Sequence, residues 1–225
     1  MTQKHPISWT TYAIVAVISA AIGFVAIYAM TGGGYAPSVK DSQSVEPGLK
    51  KRDTAETSPA QTADKGQLNT GKMTAFVFKD APEALPDVKF NNTAGEEISL
   101  QSFQGRVVLL NLWATWCAPC LKEMPHLDEL QAKLSSEKFE VVAVSIDRGS
   151  PEKPRKFLKS INSKALNFYH DPAAELNFTL KAIGMPTTYL IDGQGREIGR
   201  LVGPAEWHSA DAIRLIKAYL PNTDG

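Results

Sequence analysis

The sequence predicts an α/β domain with a β-hairpin at one edge, carried behind a single apolar helix long enough to span a membrane. Three observations carry this reading. Residues 13–30 are a nearly unbroken run of Ala, Ile, Val, Phe, Tyr and Met. Segments with strand-like and helix-like apolar spacing alternate from Phe76 to Leu220. The only two cysteines, Cys117 and Cys120, stand together where a buried strand gives way to a helix.

Charge narrows the range of functions. The 225 residues contain 24 Lys and Arg against 24 Asp and Glu, so no net field draws the chain onto nucleic acid through counterion release. Nucleic acid is not an expected partner. Two Cys allow one disulfide, a poor framework for a chain this long, so their close spacing points to chemistry before architecture.

The elements follow in chain order. Residues 7–30 lack any charged side chain, and roughly 18 apolar residues are enough to cross a bilayer as a helix. A cleaved signal peptide is the alternative; its apolar region is usually about 7 to 15 residues and ends in a small-x-small site. Here Tyr28 stands inside Ile27-Tyr28-Ala29 and Ala36 is followed by Pro37, which favours an uncleaved anchor. Trp9, Tyr12 and Tyr28 lie near the ends of the run, where amphipathic rings suit the interface. Lys4 and His5 precede it while Lys40, Lys50, Lys51 and Arg52 follow, so basic residues do not set its orientation. A short amino-terminal tail stays inside, whereas a long following domain translocates regardless of charge. The expected divisions are a cytoplasmic tail and anchor at 1–30, a flexible tether at 31–75 and a folded domain at 76–225. The tether assignment rests on Gly32-Gly33-Gly34 and the polar stretch after it, which bury too little surface to offset the entropy of ordering.

Within the domain, residues 87–100 read as a hairpin centred on Asn91-Asn92-Thr93-Ala94-Gly95. Val107 through Trp113 is an apolar run suited to a strand covered on both faces. Cys120, Met124, Leu127, Leu130 and Leu134 then recur at helical spacing. A second buried strand is expected at 139–146, a helix at 154–161, a short strand at 166–169 and a helix at 173–182. A strand at 187–191, a turn at Asp192-Gly193-Gln194-Gly195, a strand at 197–202 and an amphipathic helix at 210–220 complete the domain.

The chemistry is concentrated at the Cys pair. Cys117 opens a helix, so its sulfur faces unpaired backbone N–H groups at the positive end of the helix dipole, which favour thiolate. Cys120, one turn further on, is placed to attack a mixed disulfide formed by Cys117 and release the partner, which separates nucleophile from resolver. Trp116 adds a flat apolar shoulder, and Pro119 fits a helix start, where its missing N–H costs nothing. Three other readings compete: a zinc site, which wants four ligands and would have to recruit His126; a structural disulfide, which would close only a two-residue loop; and inert buried thiols.

Asn111-Leu112-Trp113-Ala114-Thr115-Trp116-Cys117-Ala118-Pro119-Cys120, with Pro125 after it and Gly184-Met185-Pro186-Thr187 downstream, resembles the thioredoxin superfamily. The approach Gly105 to Leu110, the Ile146-Asp147 strand end and Pro186 through Asp192 resemble more narrowly the membrane-anchored TlpA/ResA/CcmG family, with TlpA the best fit. The resemblance covers about residues 86–220. It implies a thioredoxin-like fold with an N-terminal β-hairpin and a central helix-strand insertion, placed at 154–169, behind one transmembrane helix. It also implies a cofactor-free thiol reductant facing the periplasm from the cytoplasmic membrane, fed by a transmembrane thiol donor. Its implied substrates are disulfides or CxxC-type motifs of cytochrome c or cytochrome oxidase copper-centre assembly proteins.

The resemblance assigns further residues. Pro186 matches the family's cis-proline, with Met185 offering backbone to a substrate strand and Thr187 continuing the groove. Asn111 stands where thioredoxins usually carry a buried Asp, and Asn cannot ionise. Glu123, three residues after Cys120, matches the family pattern; there a carboxylate would disfavour thiolate and could take the resolver's proton. The alternative is an exposed Glu that merely suits the helix dipole. Two other functions stay open: a disulfide-forming oxidant, and a copper-binding assembly factor using the Cys pair with His170. Against the second, His170-Asp171-Pro172 reads as a turn, and no metal site is expected.

Overall fold

The computed structural model describes residues 65–221. The apolar run at 13–30, its orientation and most of the tether lie outside these residues. Among the described residues no helix is long and apolar enough to cross a membrane.

In chain order the elements are α1 (Lys65–Leu68), β1 (Val77–Ala84), β2 (Lys89–Asn91), β3 (Glu97–Ser99), β4 (Val107–Trp113), α2 (Ala118–Leu134), β5 (Phe139–Ser145), α3 (Glu152–Ser160), β6 (Tyr169–His170), α4 (Leu176–Thr179), β7 (Thr187–Ile191), β8 (Arg196–Val202) and α5 (Ala210–Lys217). The strands form one sheet in the order β1-β8-β7-β4-β5-β6-β2-β3. The hairpin β2-β3 therefore lies at one edge, as expected. Its turn is tied by the Asn92 side chain, whose Oδ1 accepts from the N–H groups of Ala94 and Glu96 at 2.9 and 3.0 Å.

Strand β4 runs parallel to β5 and antiparallel to β7, and every residue of β4 and β5 is buried. Such strands need cover on both faces, which is why their sequences are apolar without alternation. Helix α2 buries Met124, Leu127 and Leu130 along one stripe, and α5 buries Ala212, Leu215 and Ile216.

Four expectations are corrected. The folded part begins before Phe76, because Leu68 and Met73 are buried in the core, Lys65 Nζ donates to the carbonyls of Lys79 and Asp80, and the Lys72 N–H donates to the Asp211 carboxylate at 3.0 Å. Two apolar anchors in a polar stretch were enough to hold it. Strand β1 was not foreseen: it pairs antiparallel with β8 across a register shift, lies at the edge of the sheet, is mostly exposed and contains Pro82, so it shows no apolar alternation. The helix expected at 173–182 is reduced to α4 because Ala174 and Lys181, with φ of 56° and 55°, take the left-handed conformation on either side of it. The strand expected at 166–169 begins later, since the Asp128 carboxylate binds the Ser163 hydroxyl and the N–H groups of Lys164, Ala165 and Leu166. Burial alone would raise the Asp128 pKa, but those donors together hold it below the ordinary value. His170 accordingly ends β6 and is 2 % exposed, with Nε2 2.7 Å from the Asp147 carbonyl, and the expected turn follows it, closed by the Ala174 N–H donating to the Asp171 carbonyl at 3.2 Å.

Candidate active site

The strand β4 delivers the chain to the Cys pair, and β5 fixes where it emerges. Past the end of β4, the Ile146 N–H donates to the Trp113 carbonyl at 2.9 Å. The buried Asp147 carboxylate accepts from the Thr115 N–H at 2.9 Å, the Thr115 hydroxyl at 2.6 Å and the Ser145 hydroxyl at 2.9 Å. The loop carrying Trp116 is thus clamped to the end of the neighbouring parallel strand. The sequence marks Asp147 only as a strand end, because its clamp joins residues 32 apart.

Cys117 is the N-cap of α2, with extended backbone (φ −97°, ψ 95°), and its sulfur accepts from the Cys120 N–H at 3.3 Å. A side chain in this position satisfies one of the orphan donors of a helix start. When the sulfur is a thiolate, the same donor and the helix dipole favour its charge. Pro119 sits in the first helical turn, where no intrahelical bond is lost. Cys117 and Cys120 are joined by a disulfide, their Cα atoms 5.3 Å apart. Cys117 is 6 % exposed and Cys120 is 0 % exposed, so an incoming sulfur reaches Cys117.

A second loop lies at the start of β7. The Met185–Pro186 peptide is cis, the Thr187 hydroxyl donates to the Gly184 carbonyl at 2.7 Å, and the Gly203 N–H donates to the Pro186 carbonyl at 2.8 Å. Met185 and Trp116 line a common cavity of about 680 Å³ with Ile146, Asp147, Arg148 and Phe178. Trp116, Phe178 and Ile183 are exposed at 66 %, 70 % and 89 %. Exposed large apolar side chains beside a reactive centre are a surface suited to another protein.

Glu123 is not a solvated helix residue. It is 1 % exposed; its Oε1 accepts from the Asn111 amide at 2.7 Å and its Oε2 from the Ala205 N–H at 3.1 Å. Burial pushes its pKa up to about 7, against the lowering effect of the Ala205 and Asn111 donors. The Asn111 amide also donates to the Thr188 hydroxyl at 2.9 Å, so β4, α2 and the loop after β8 meet at one carboxylate, and β7 is joined to it through Asn111. The sequence places Asn111 and Glu123 at the site but does not show their contact. Thr188 and the Ala205 N–H were missed, the latter being a backbone group that no side-chain pattern can reveal.

The histidines raised for metal chemistry have other partners. His126, on α2, stacks on His208 with ring centroids 4.2 Å apart, and the Nε2 of His170 faces the Asp147 carbonyl. Among the described residues no group of three or more His, Cys, Asp or Glu side chains is arranged to hold a metal ion.

A dithiol that opens and closes at a helix start beside a cis-proline loop exchanges disulfides with other molecules, and the proteins that do so on this sheet are the thioredoxin-like thiol:disulfide oxidoreductases. The Redoxin family pattern matches residues 80–216. The thiol-disulfide oxidoreductase ResA of Bacillus thuringiensis subsp. konkukian is 34 % identical over 136 residues, 60 % of this chain and 78 % of that protein. The thiol:disulfide interchange protein HelX of Rhodobacter capsulatus is 32 % identical over 131 residues, 58 % and 70 % of the two chains. Among solved structures, a thiol:disulfide interchange protein of the DsbE type from Chlorobium tepidum superposes with a TM-score of 0.55 at 30 % identity, covering 62 % of this chain and 98 % of that one. The chain belongs to the Redoxin family, and it is a thiol:disulfide oxidoreductase.

Proposed function

We propose that this protein is a membrane-tethered reductant of specific protein disulfides on the periplasmic side, with Cys117 as attacking sulfur and Cys120 as resolver. The observation that carries the reading is the asymmetry of the pair: Cys117 caps α2 under a backbone N–H and is the more exposed sulfur, whereas Cys120 is sealed. In the reduced protein the Cys117 thiolate attacks a substrate disulfide, forms a mixed disulfide and expels one substrate thiolate. Cys120 then attacks the Cys117 sulfur, the mixed disulfide breaks, and the substrate leaves with both electrons while the Cys117–Cys120 bond closes. Glu123, with a pKa near neutrality, takes the Cys120 proton in this step.

Substrate is read as an extended segment paired with the Met185 backbone, along a groove formed by Met185, Pro186 and Thr187. The exposed Trp116, Phe178 and Ile183 receive its apolar side chains. The resemblance to the TlpA/ResA/CcmG family points to cytochrome c or cytochrome oxidase copper-centre assembly proteins as partners, and to a transmembrane thiol donor that reopens the disulfide. The narrower likeness to TlpA rests on the motif residues alone. A copper-binding role is disfavoured because Cys120 is sealed and the His170 Nε2 is engaged.

The anchor is the apolar run at 13–30. Tethering holds the domain near membrane-bound donor and acceptor and raises their effective concentration. Protease added to spheroplasts that express the full chain is expected to remove the domain and spare the amino-terminal tail. A soluble, shortened mature protein would instead show that the run is a cleaved signal peptide.

A further inference from the structure

Both Cys120 and Glu123 are shut off from bulk water, at 0 % and 1 % exposed. If Glu123 takes the Cys120 proton, that proton must still leave the protein once per cycle. Beside Glu123 a second cavity, of about 290 Å³, opens. Glu123, His126 and Ala205 line it together with Lys72, Lys122 and Glu206.

The lining residues differ in what they can do with a proton. Lys72 and Glu206 are paired at 2.7 Å, and the contact moves the Lys72 pKa up and the Glu206 pKa down, away from neutrality in both cases. Lys122 is exposed at the surface, and Ala205 has no titratable group. Imidazole is the side chain that both accepts and releases a proton near neutral pH. His126 lies three residues beyond Glu123 on α2, a spacing that puts the two on adjoining positions of the helix surface. Its Nδ1 is buried without a hydrogen-bond partner, as is the Nδ1 of His208, and the two rings stack at 4.2 Å. Around them stand Lys122 and Glu129 from α2, Glu206 from the loop after β8 and Lys72 from the turn before β1; both imidazoles act electrostatically on Glu129 and Glu206.

We propose that His126, backed by His208, relays the proton between the Glu123 carboxyl and solvent, so that this cavity is the proton port of the redox centre. The proposal rests on the reading of Glu123 given above. As Cys120 attacks, the Cys117–Cys120 bond forms and the bond from Cys117 to the substrate sulfur breaks, the electron pair leaving on that sulfur. The Cys120 proton passes to the Glu123 carboxylate, from there to a ring nitrogen of His126, and from His126 to water in the cavity. Neither Glu123 nor His126 changes oxidation state. When a donor reduces the pair, the same path runs inward.

The test follows resolution of a mixed disulfide between the full-length protein and a peptide thiol at pH 7, with and without added imidazole. His126→Ala should slow resolution by about tenfold or more, in keeping with the weight of positioned proton transfer, and imidazole entering the vacated space should restore most of the rate. His126→Gln, which keeps the space filled, should show the same loss with no rescue. The wild-type rate should not respond to imidazole. A wild-type rate in either His126 variant, or a slow His126→Ala that imidazole leaves unchanged, overturns the relay if Glu123→Gln is slow. A wild-type rate in Glu123→Gln overturns the reading of Glu123 itself, and the relay with it.

Discussion

Replacing Cys120 with Ser is expected to abolish turnover and leave the protein covalently joined to its substrate through Cys117. The first exchange needs only the Cys117 sulfur, which caps α2 and accepts the residue-120 N–H, a backbone group that the substitution keeps. The second exchange needs a thiol at position 120, so the mixed disulfide persists. Cys117→Ser should also lose all turnover but capture nothing, because the remaining sulfur is fully buried. Non-reducing electrophoresis and mass spectrometry of both variants after exposure to a disulfide-containing protein read the outcome directly. Trapping of equal yield through Cys120 in Cys117→Ser would reverse the assignment.

Glu123→Gln is expected to change how stability depends on pH. The carboxyl is neutral in both folded and unfolded chains below the ordinary carboxylate range. As pH rises from there, the unfolded chain ionises first, while the folded one holds its proton until pH is near 7, so stability falls across this window and levels off above it. A rise from the ordinary 4.5 to about 7 corresponds to a loss of about 3 kcal/mol between the ends of the window. Gln has no such transition. Urea unfolding of the oxidised proteins at pH 5 and pH 8, which span most of that window, should therefore show a fall in wild type that exceeds the fall in the variant by about 2.5 kcal/mol. Equal falls in the two proteins would mean that the carboxyl is ionised in the fold across the whole range. In the reduced variant, alkylation of Cys117 should shift to lower pH, since the nearby carboxylate no longer opposes the thiolate.

What could be read from the sequence divides along physical lines. Strands β4 and β5 and helix α2 are legible because burial on both faces, or along one stripe, imposes an apolar pattern on consecutive residues. Strand β1 escaped notice because an edge position tolerates Lys79, Asp80, Pro82 and Glu83, and the pairing with β8 is made by backbone. The start of the fold was placed too late because Leu68 and Met73 are isolated apolar residues with no period to betray them. At the site, Cys117, Cys120 and Pro119 stand in a short motif whose local chemistry is explicit, whereas Pro186 is marked only through the family resemblance. The burial of Glu123 is not local: its partners come from Asn111, 12 residues earlier, and from the Ala205 N–H, 82 residues later. Only the packing of β4 and the loop after β8 on either side of α2 makes that acid a buried one.

The central claim is that the Cys117–Cys120 pair works as a reductant. Its most direct test is equilibration of the full-length protein with reduced and oxidised glutathione at defined ratios, the fraction of dithiol being counted by alkylation and mass spectrometry. The account predicts a potential near that of thioredoxin, about −270 mV. A value near that of a dedicated oxidant, about −120 mV, would contradict it and assign the protein to disulfide formation.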